Sequence, residues 1–172
     1  MVLPLTLIVE ARISVEYMRA LRVLLVDDYK PFIRILRSML PNDRFEVIGQ
    51  ASDGLEAIKE AESLRPDLVL LDVGLPKMNG IEVAKALRNL LPRAIILMLS
   101  QDPSAEVVAE ALNVGAAGYV HKQRAQRELL PAIDMVLEGK QFVSPGLLAG
   151  ELSDDAPTEF LTGQPSALQR QG

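Results

Sequence analysis

The strongest constraint on this chain is an alternation that begins at Leu21 and repeats five times: a short apolar run, then a longer stretch of helical period. The runs are Val23–Val26, Phe45–Ala51, Leu68–Leu71, Ile95–Leu99 and Gly118–His121. Val23–Val26, Leu68–Leu71 and Ile95–Leu99 are continuously apolar, as expected of parallel strands covered on both faces. Phe45–Ala51 is mixed, which suits an edge.

Between the runs, apolar residues recur three and four apart. Ile33, Leu36 and Leu40 share one helical face; Ala57, Ile58, Ala61 and Leu64 share another. Val83, Ala84, Leu87 and Leu91 mark a third helix, and Val107, Val108, Ala111 and Leu112 a fourth. Leu129, Leu130, Ile133, Val136 and Leu137 mark a fifth. Pro31 fits a first helical turn, Asp53-Gly54 opens the second helix, and Gly115 and Gly139 follow helix ends. Repeated βα units with right-handed crossovers predict an α/β fold, a doubly wound five-stranded parallel sheet with helices on both faces.

The ends of the chain are different in character. Residues 1–20 read as an N-terminal extension. Their apolar run Val2–Val9 is interrupted by Pro4, has no basic residues before it, and is too short to span a bilayer. Met18 is an alternative start, shortly before the first strand. Residues 144–172 read as a linker-like or disordered tail, with one short helix conceivable around Glu159–Leu161. The absence of cysteine excludes disulfides and thiolate metal sites and fits a reducing compartment. A net charge of -5 does not suit a DNA-binding surface, and a lone histidine, His121, excludes multi-histidine metal sites.

Chemistry is written at the strand ends. Asp27 and Asp28 end the first strand, Asp72 the third, Ser100 the fourth and Lys122 the fifth. Open parallel sheets bind ligands outside the carboxyl ends of their strands, beside the topological switch point. With strand order 2-1-3-4-5, that point lies between strands one and three, flanked by Asp27, Asp28 and Asp72. Alone, each of these residues is equally a turn residue. Together, three carboxylates repel unless a cation joins them, and oxygen-only ligands suit Mg²⁺. A carboxylate can also attack a phosphoryl group to give an aspartyl phosphate. Lys122 would then place positive charge on the phosphoryl oxygens, and Ser100 would offer a hydroxyl donor.

The segments Val26-Asp27-Asp28, Leu71-Asp72-Val73-Gly74-Leu75-Pro76-Lys77-Met78-Asn79-Gly80, Leu99-Ser100 and Tyr119-Val120-His121-Lys122 resemble the signature of response-regulator receiver domains of two-component systems. The resemblance covers residues 21–143 and implies a flavodoxin-like fold. It implies that Asp72 is the phosphoacceptor and that Asp27, Asp28, Asp72 and the Gly74 carbonyl hold Mg²⁺. Ser100 and Tyr119 would form a switch pair: Ser100 moves toward the phosphoryl group, and Tyr119 rotates inward behind it. The implied partner is a sensor histidine kinase or phosphotransfer protein in the cytoplasm, with a phosphorylation-dependent homodimer as a further state. No membrane or direct nucleic-acid partner is expected. The only chemistry implied is self-catalysed phosphoryl gain and loss.

Gly115-Ala-Ala-Gly-Tyr-Val and Glu138-Gly-Lys-Gln-Phe-Val-Ser-Pro145 resemble the NarL/FixJ subgroup, whose members usually continue into a helix-turn-helix domain. The tail here is too short and too poor in basic residues to supply one, so a receiver fragment of a transcription factor is a competing reading. Gln101 stands where the family usually has a small residue, and Gln123 where many members have proline. A haloacid-dehalogenase-like phosphatase is disfavoured, because Tyr29 occupies the position of its second acid.

Overall fold

The computed structural model describes residues 19–102 and 104–147. The readings made for residues 1–18 and for Glu159–Leu161 lie outside them. In chain order the elements are β1 (Leu21–Val26), α1 (Lys30–Met39), β2 (Phe45–Ala51), α2 (Gly54–Leu64), β3 (Leu68–Asp72), α3 (Gly80–Leu90), β4 (Ile95–Ser100), α4 (Ala105–Asn113), β5 (Gly118–His121), α5 (Ala125–Leu137) and β6 (Phe142–Val143). A single 3-10 turn, Lys122–Arg124, joins β5 to α5.

The strands form one parallel sheet in the order β2-β1-β3-β4-β5-β6. The expected order 2-1-3-4-5 is present, but five strands are one too few. Periodicity cannot register a two-residue strand. What makes β6 is pairing, Phe142 with Gly118 and Val143 with Tyr119. The packed unit also runs beyond 143, since Ser144 and Leu147 are buried.

Successive residues of the central strands face opposite layers, as a period of two requires. Leu24, Val26, Val69 and Leu71 pack with Ala57, Ala61, Val83, Leu87, Val108 and Ala111 under α2, α3 and α4. Val23, Leu25, Leu68 and Leu70 pack with Ile33, Leu36, Leu129 and Ile133 under α1 and α5. Leu70 and Leu97 are fully buried, so truncating either to alanine costs about 2–5 kcal/mol.

Local chemistry sets the helix starts. Pro31 occupies the first turn of α1, where no intrahelical N–H is needed. Asp53 caps α2 by accepting the Glu56 N–H at 2.9 Å. Asn79 and Glu82 form a reciprocal capping box on α3. Ser104 takes the N-cap position of α4 without a side-chain cap bond. These starts fix the loops that leave the carboxyl ends of β1, β3 and β4.

Candidate functional site

Sheet order brings together residues that are far apart in sequence. Asp27 follows β1, Asp72 and Ser100 are the last residues of β3 and β4, and Lys122 follows β5. Asp27 and Asp72 are buried, and Asp28 is exposed. Carboxylate oxygens of all three lie within 4.8 Å of one another. Lys122 Nζ stands 2.6 Å from Asp27 Oδ2 and 3.0 Å from Asp72 Oδ1. It also lies 5.0 Å from the centroid of the Phe32 ring on α1, close enough for cation–π attraction. An open groove of about 860 Å³ includes Asp28, Asp72, Gly74, Ser100, Gln101 and Lys122 in its lining.

The electrostatics are those of an acidic site short of positive charge. Burial pushes the Asp72 carboxyl above its ordinary range, and the Asp27 charge adds to that; Lys122 and the Gly74 backbone N–H oppose it. Asp27 Oδ1 accepts the Tyr29 N–H at 2.8 Å. Asp27 Oδ2 is buried without a well-aligned hydrogen bond, and its contact with charge is Lys122. A cluster of hard oxygen donors with one poorly satisfied buried oxygen could hold a small divalent metal.

The loop after Asp72 is pressed onto its surroundings. Gly80 donates its N–H to the Val73 carbonyl at 2.9 Å. A Cβ at Gly80 would fall 1.9 Å from the Asp72 carbonyl oxygen, and one at Gly54 would fall 2.3 Å from that of Met78. Lys77, read from the sequence as a solvated loop charge, is exposed but paired with Asp53 at 2.5 Å. The pair ties the loop to the cap of α2.

Ser100 is buried, and its Oγ accepts the Asp102 N–H at 2.9 Å. Tyr119 is fully buried, and its hydroxyl donates to the Asp102 carbonyl at 2.9 Å. Burial raises its pKa. Of the expected residues, Asp27, Asp28, Asp72, Gly74, Ser100 and Lys122 share one rim, while Tyr119 lies behind Ser100 on the neighbouring strand. Sequence reasoning missed Phe32 and Asp102. Phe32 lies one residue before Ile33 on the inward face of α1, so helical spacing could have exposed it. Asp102 acts through its backbone carbonyl, for which a side chain gives no signal.

Residues 23–134 match the family model for the response regulator receiver domain. Over 119 residues, the chain is 39% identical to a transcriptional regulator of Pseudomonas aeruginosa, covering 69% of this chain and 57% of that one. Over 140 residues, it is 34% identical to the transcription regulator BvgA of Bordetella pertussis, covering 80% and 66% respectively. The matches therefore span 57% and 66% of the lengths of these two relatives. Among solved structures, a LuxR-family two-component response regulator from an Aurantimonas species is 30% identical with a TM-score of 0.71, covering 78% of this chain and 96% of that one. CheY of Borrelia burgdorferi, solved in complex with CheX, BeF₃ and Mg²⁺, is 27% identical with a TM-score of 0.65, covering 68% and 89%. Residues 23–134 being matched by the family and the site rim being built as described, this chain belongs to the response regulator receiver domain family.

Proposed function

We propose that this receiver domain is a phosphorylation-controlled switch in a two-component phosphorelay, with Asp72 as the phosphoacceptor. The donor is a sensor histidine kinase or phosphotransfer protein. The modified domain changes its partner binding or its dimerisation. The observation that carries this reading is the position of Lys122 Nζ between the carboxylates of Asp27 and Asp72, with the latter open to the groove.

In the proposed step, an Asp72 carboxylate oxygen attacks the phosphorus of a phosphohistidine. An O–P bond forms and the N–P bond breaks; its electron pair stays on the imidazole nitrogen, which takes a proton from solvent. Lys122 gives up part of its contact with Asp72 and turns its charge to the phosphoryl oxygens. Ser100 exchanges the Asp102 N–H it now accepts for a bond in which it donates. Mg²⁺ held by Asp27, Asp28, Asp72 and the Gly74 carbonyl would supply the positive charge that offsets repulsion between carboxylates and phosphate. That the related CheY was solved with BeF₃ and Mg²⁺ supports this assignment. Attack by water reverses the modification, so the chain's own chemistry is confined to gaining and losing one group.

None of the described helices is long and apolar enough to cross a membrane. We place the domain in the cytoplasm, beside its proposed phosphodonor; the net charge of -5 favours protein partners over DNA for this chain. A second reading is favoured by the relatives named as transcription regulators, of which the matches span only 57% and 66%. On that reading the domain is the regulatory portion of a longer DNA-binding protein.

The test is intact mass after incubation with acetyl phosphate or carbamoyl phosphate and Mg²⁺. One acid-stable, base-labile phosphoryl group is expected on the wild type and none on Asp72→Asn. Persistent labelling of the variant would overturn the assignment.

A further inference from the structure

Ser144 is a polar residue just past the last strand, where the sequence reads as the start of a linker, yet it is buried. Its Oγ accepts the backbone N–H of His121 at 2.9 Å and donates to the Glu128 carboxylate on α5. Glu128 is paired with Arg124 at 3.2 Å, and Arg124 also donates to the Pro145 carbonyl at 3.1 Å. One ion pair at the start of α5 thus holds two consecutive residues of the departing chain. Both members of the pair are largely shielded, with side chains 16% and 14% exposed.

His121 connects this cluster to the phosphoryl pocket. It is buried, and its ring Nε2 lies 3.2 Å from the Gln101 carbonyl. In the β4–β5 register its partner is Ser100. The residue after it is Lys122, which contacts Asp27 and Asp72. A single residue therefore touches the pocket loop through its ring and the departing chain through its backbone N–H. A hydroxyl used both as acceptor and as donor in a shielded site is costly to disconnect, because both partners would be left unsatisfied.

We propose that His121, Ser144 and the Arg124–Glu128 pair form a latch that fixes where the chain leaves the domain and that responds to the state of the phosphoryl pocket. The proposal rests on the reading of Asp72 as the phosphoacceptor. Movement of Ser100 toward a phosphoryl group carries Gln101 with it. The His121 ring follows the Gln101 carbonyl, and the His121 N–H shifts against Ser144 Oγ. Whatever follows Leu147 is then presented from a different position. An inert anchor would have the same contacts but would not respond to the pocket.

Hydrogen exchange of the full chain, with and without beryllofluoride and Mg²⁺, separates these cases. The Ser144 N–H, on the Tyr119 carbonyl at 2.9 Å, and the Leu147 N–H, on the Ser144 carbonyl at 3.3 Å, report on the latch. Peptides containing Asp72 and Ser100 report on the pocket. In the wild type, beryllofluoride is expected to change exchange at both places. In Ser144→Ala, basal exchange at 142–147 is expected to rise about tenfold and its response to vanish, with the pocket response kept. His121→Phe removes the ring contact but keeps the backbone N–H. It should leave basal protection at 142–147 near wild type and still abolish the response there. A wild-type pocket response with none at 142–147, or a response at 142–147 that persists in both variants, overturns the latch and leaves Asp72 as the phosphoacceptor. No pocket response in the wild type overturns the reading of the site, and the latch with it.

Discussion

The Tyr119 hydroxyl donates to the Asp102 backbone carbonyl at 2.9 Å, so β5 holds the loop that leaves β4. The same loop returns the Asp102 N–H to Ser100 Oγ at 2.9 Å. Tyr119 is fully buried, so its ring is part of the core and its hydroxyl is what reaches the loop.

Tyr119→Phe keeps the buried ring and removes only this bond. A loss of about 0.5–1.5 kcal/mol is expected, the usual net contribution of one hydrogen bond. Urea unfolding should show a lower midpoint with an unchanged slope. Tyr119→Ala should cost more, about 3–5 kcal/mol, from the cavity it opens. Equal costs for the two variants would show that the hydroxyl, not the ring, dominates.

Lys122→Met should be strongly destabilising without metal. The Lys122 side chain is 10% exposed, and those of Asp27 and Asp72 are 0% and 7% exposed. Removing the cation leaves two buried carboxylates facing one another, a loss of about 3–5 kcal/mol. Added Mg²⁺ should recover part of it. A metal-free loss below about 1 kcal/mol would show that the ion pair contributes little.

Asp72→Asn should be more stable than the wild type in metal-free neutral buffer. The Asp72 pKa in the fold is raised above its ordinary value of 3.8. Between that value and the raised one, the folded state holds more protons than the unfolded state. Wild-type stability from this group therefore falls as pH rises through the window. Below pH 3.8 both states are protonated and the advantage of the variant should disappear. Urea titrations of both proteins across this range would show it; a gap that widens toward acid would contradict the sign.

Much of the fold and rim could be read because the signals were carried by side chains. Leu68–Leu71 is continuously apolar since both sheet faces are covered, and Asp72 stands out because it breaks that run at the rim. Tyr119 could be placed on its strand but not in its rotamer, because an aromatic side chain in a strand can fill the core or cover its edge. β6 escaped because a strand of two residues has no period, and its existence depends on pairing with Gly118 and Tyr119. Ser144 looked like linker since its hydroxyl has no meaning without His121 and Glu128, which are 23 and 16 residues away.

Asp28→Ala should remove most Mg²⁺ affinity without unfolding the domain. Asp28 is exposed, so its loss should change metal-free stability by no more than about 0.5 kcal/mol. A ligand bound only by the folded state adds about 2.7 kcal/mol at a hundredfold excess over Kd. The thermal midpoint of the wild type should therefore climb with Mg²⁺, while that of Asp28→Ala stays nearly flat. Parallel climbs would remove Asp28 from the metal site.

Gly80→Ala tests whether the loop after Asp72 has room to move. The added Cβ would sit 1.9 Å from the Asp72 carbonyl oxygen and 2.9 Å from Val73 Cα, both backbone atoms. Neither can turn aside as a flexible side chain would. Either the first turn of α3 lifts off, breaking the Gly80 N–H bond to Val73, or the end of β3 is displaced. Alanine is otherwise the better helix former by about 1 kcal/mol, so propensity alone predicts stabilisation. The clash predicts the opposite, a loss of about 1–3 kcal/mol. It also predicts slower phosphoryl gain from acetyl phosphate, because a shift at the Asp72 backbone moves its carboxylate off Lys122. Urea unfolding and phosphorylation rates measured on the same variant distinguish the two: a stabilised protein that labels at the wild-type rate would show that the loop yields freely.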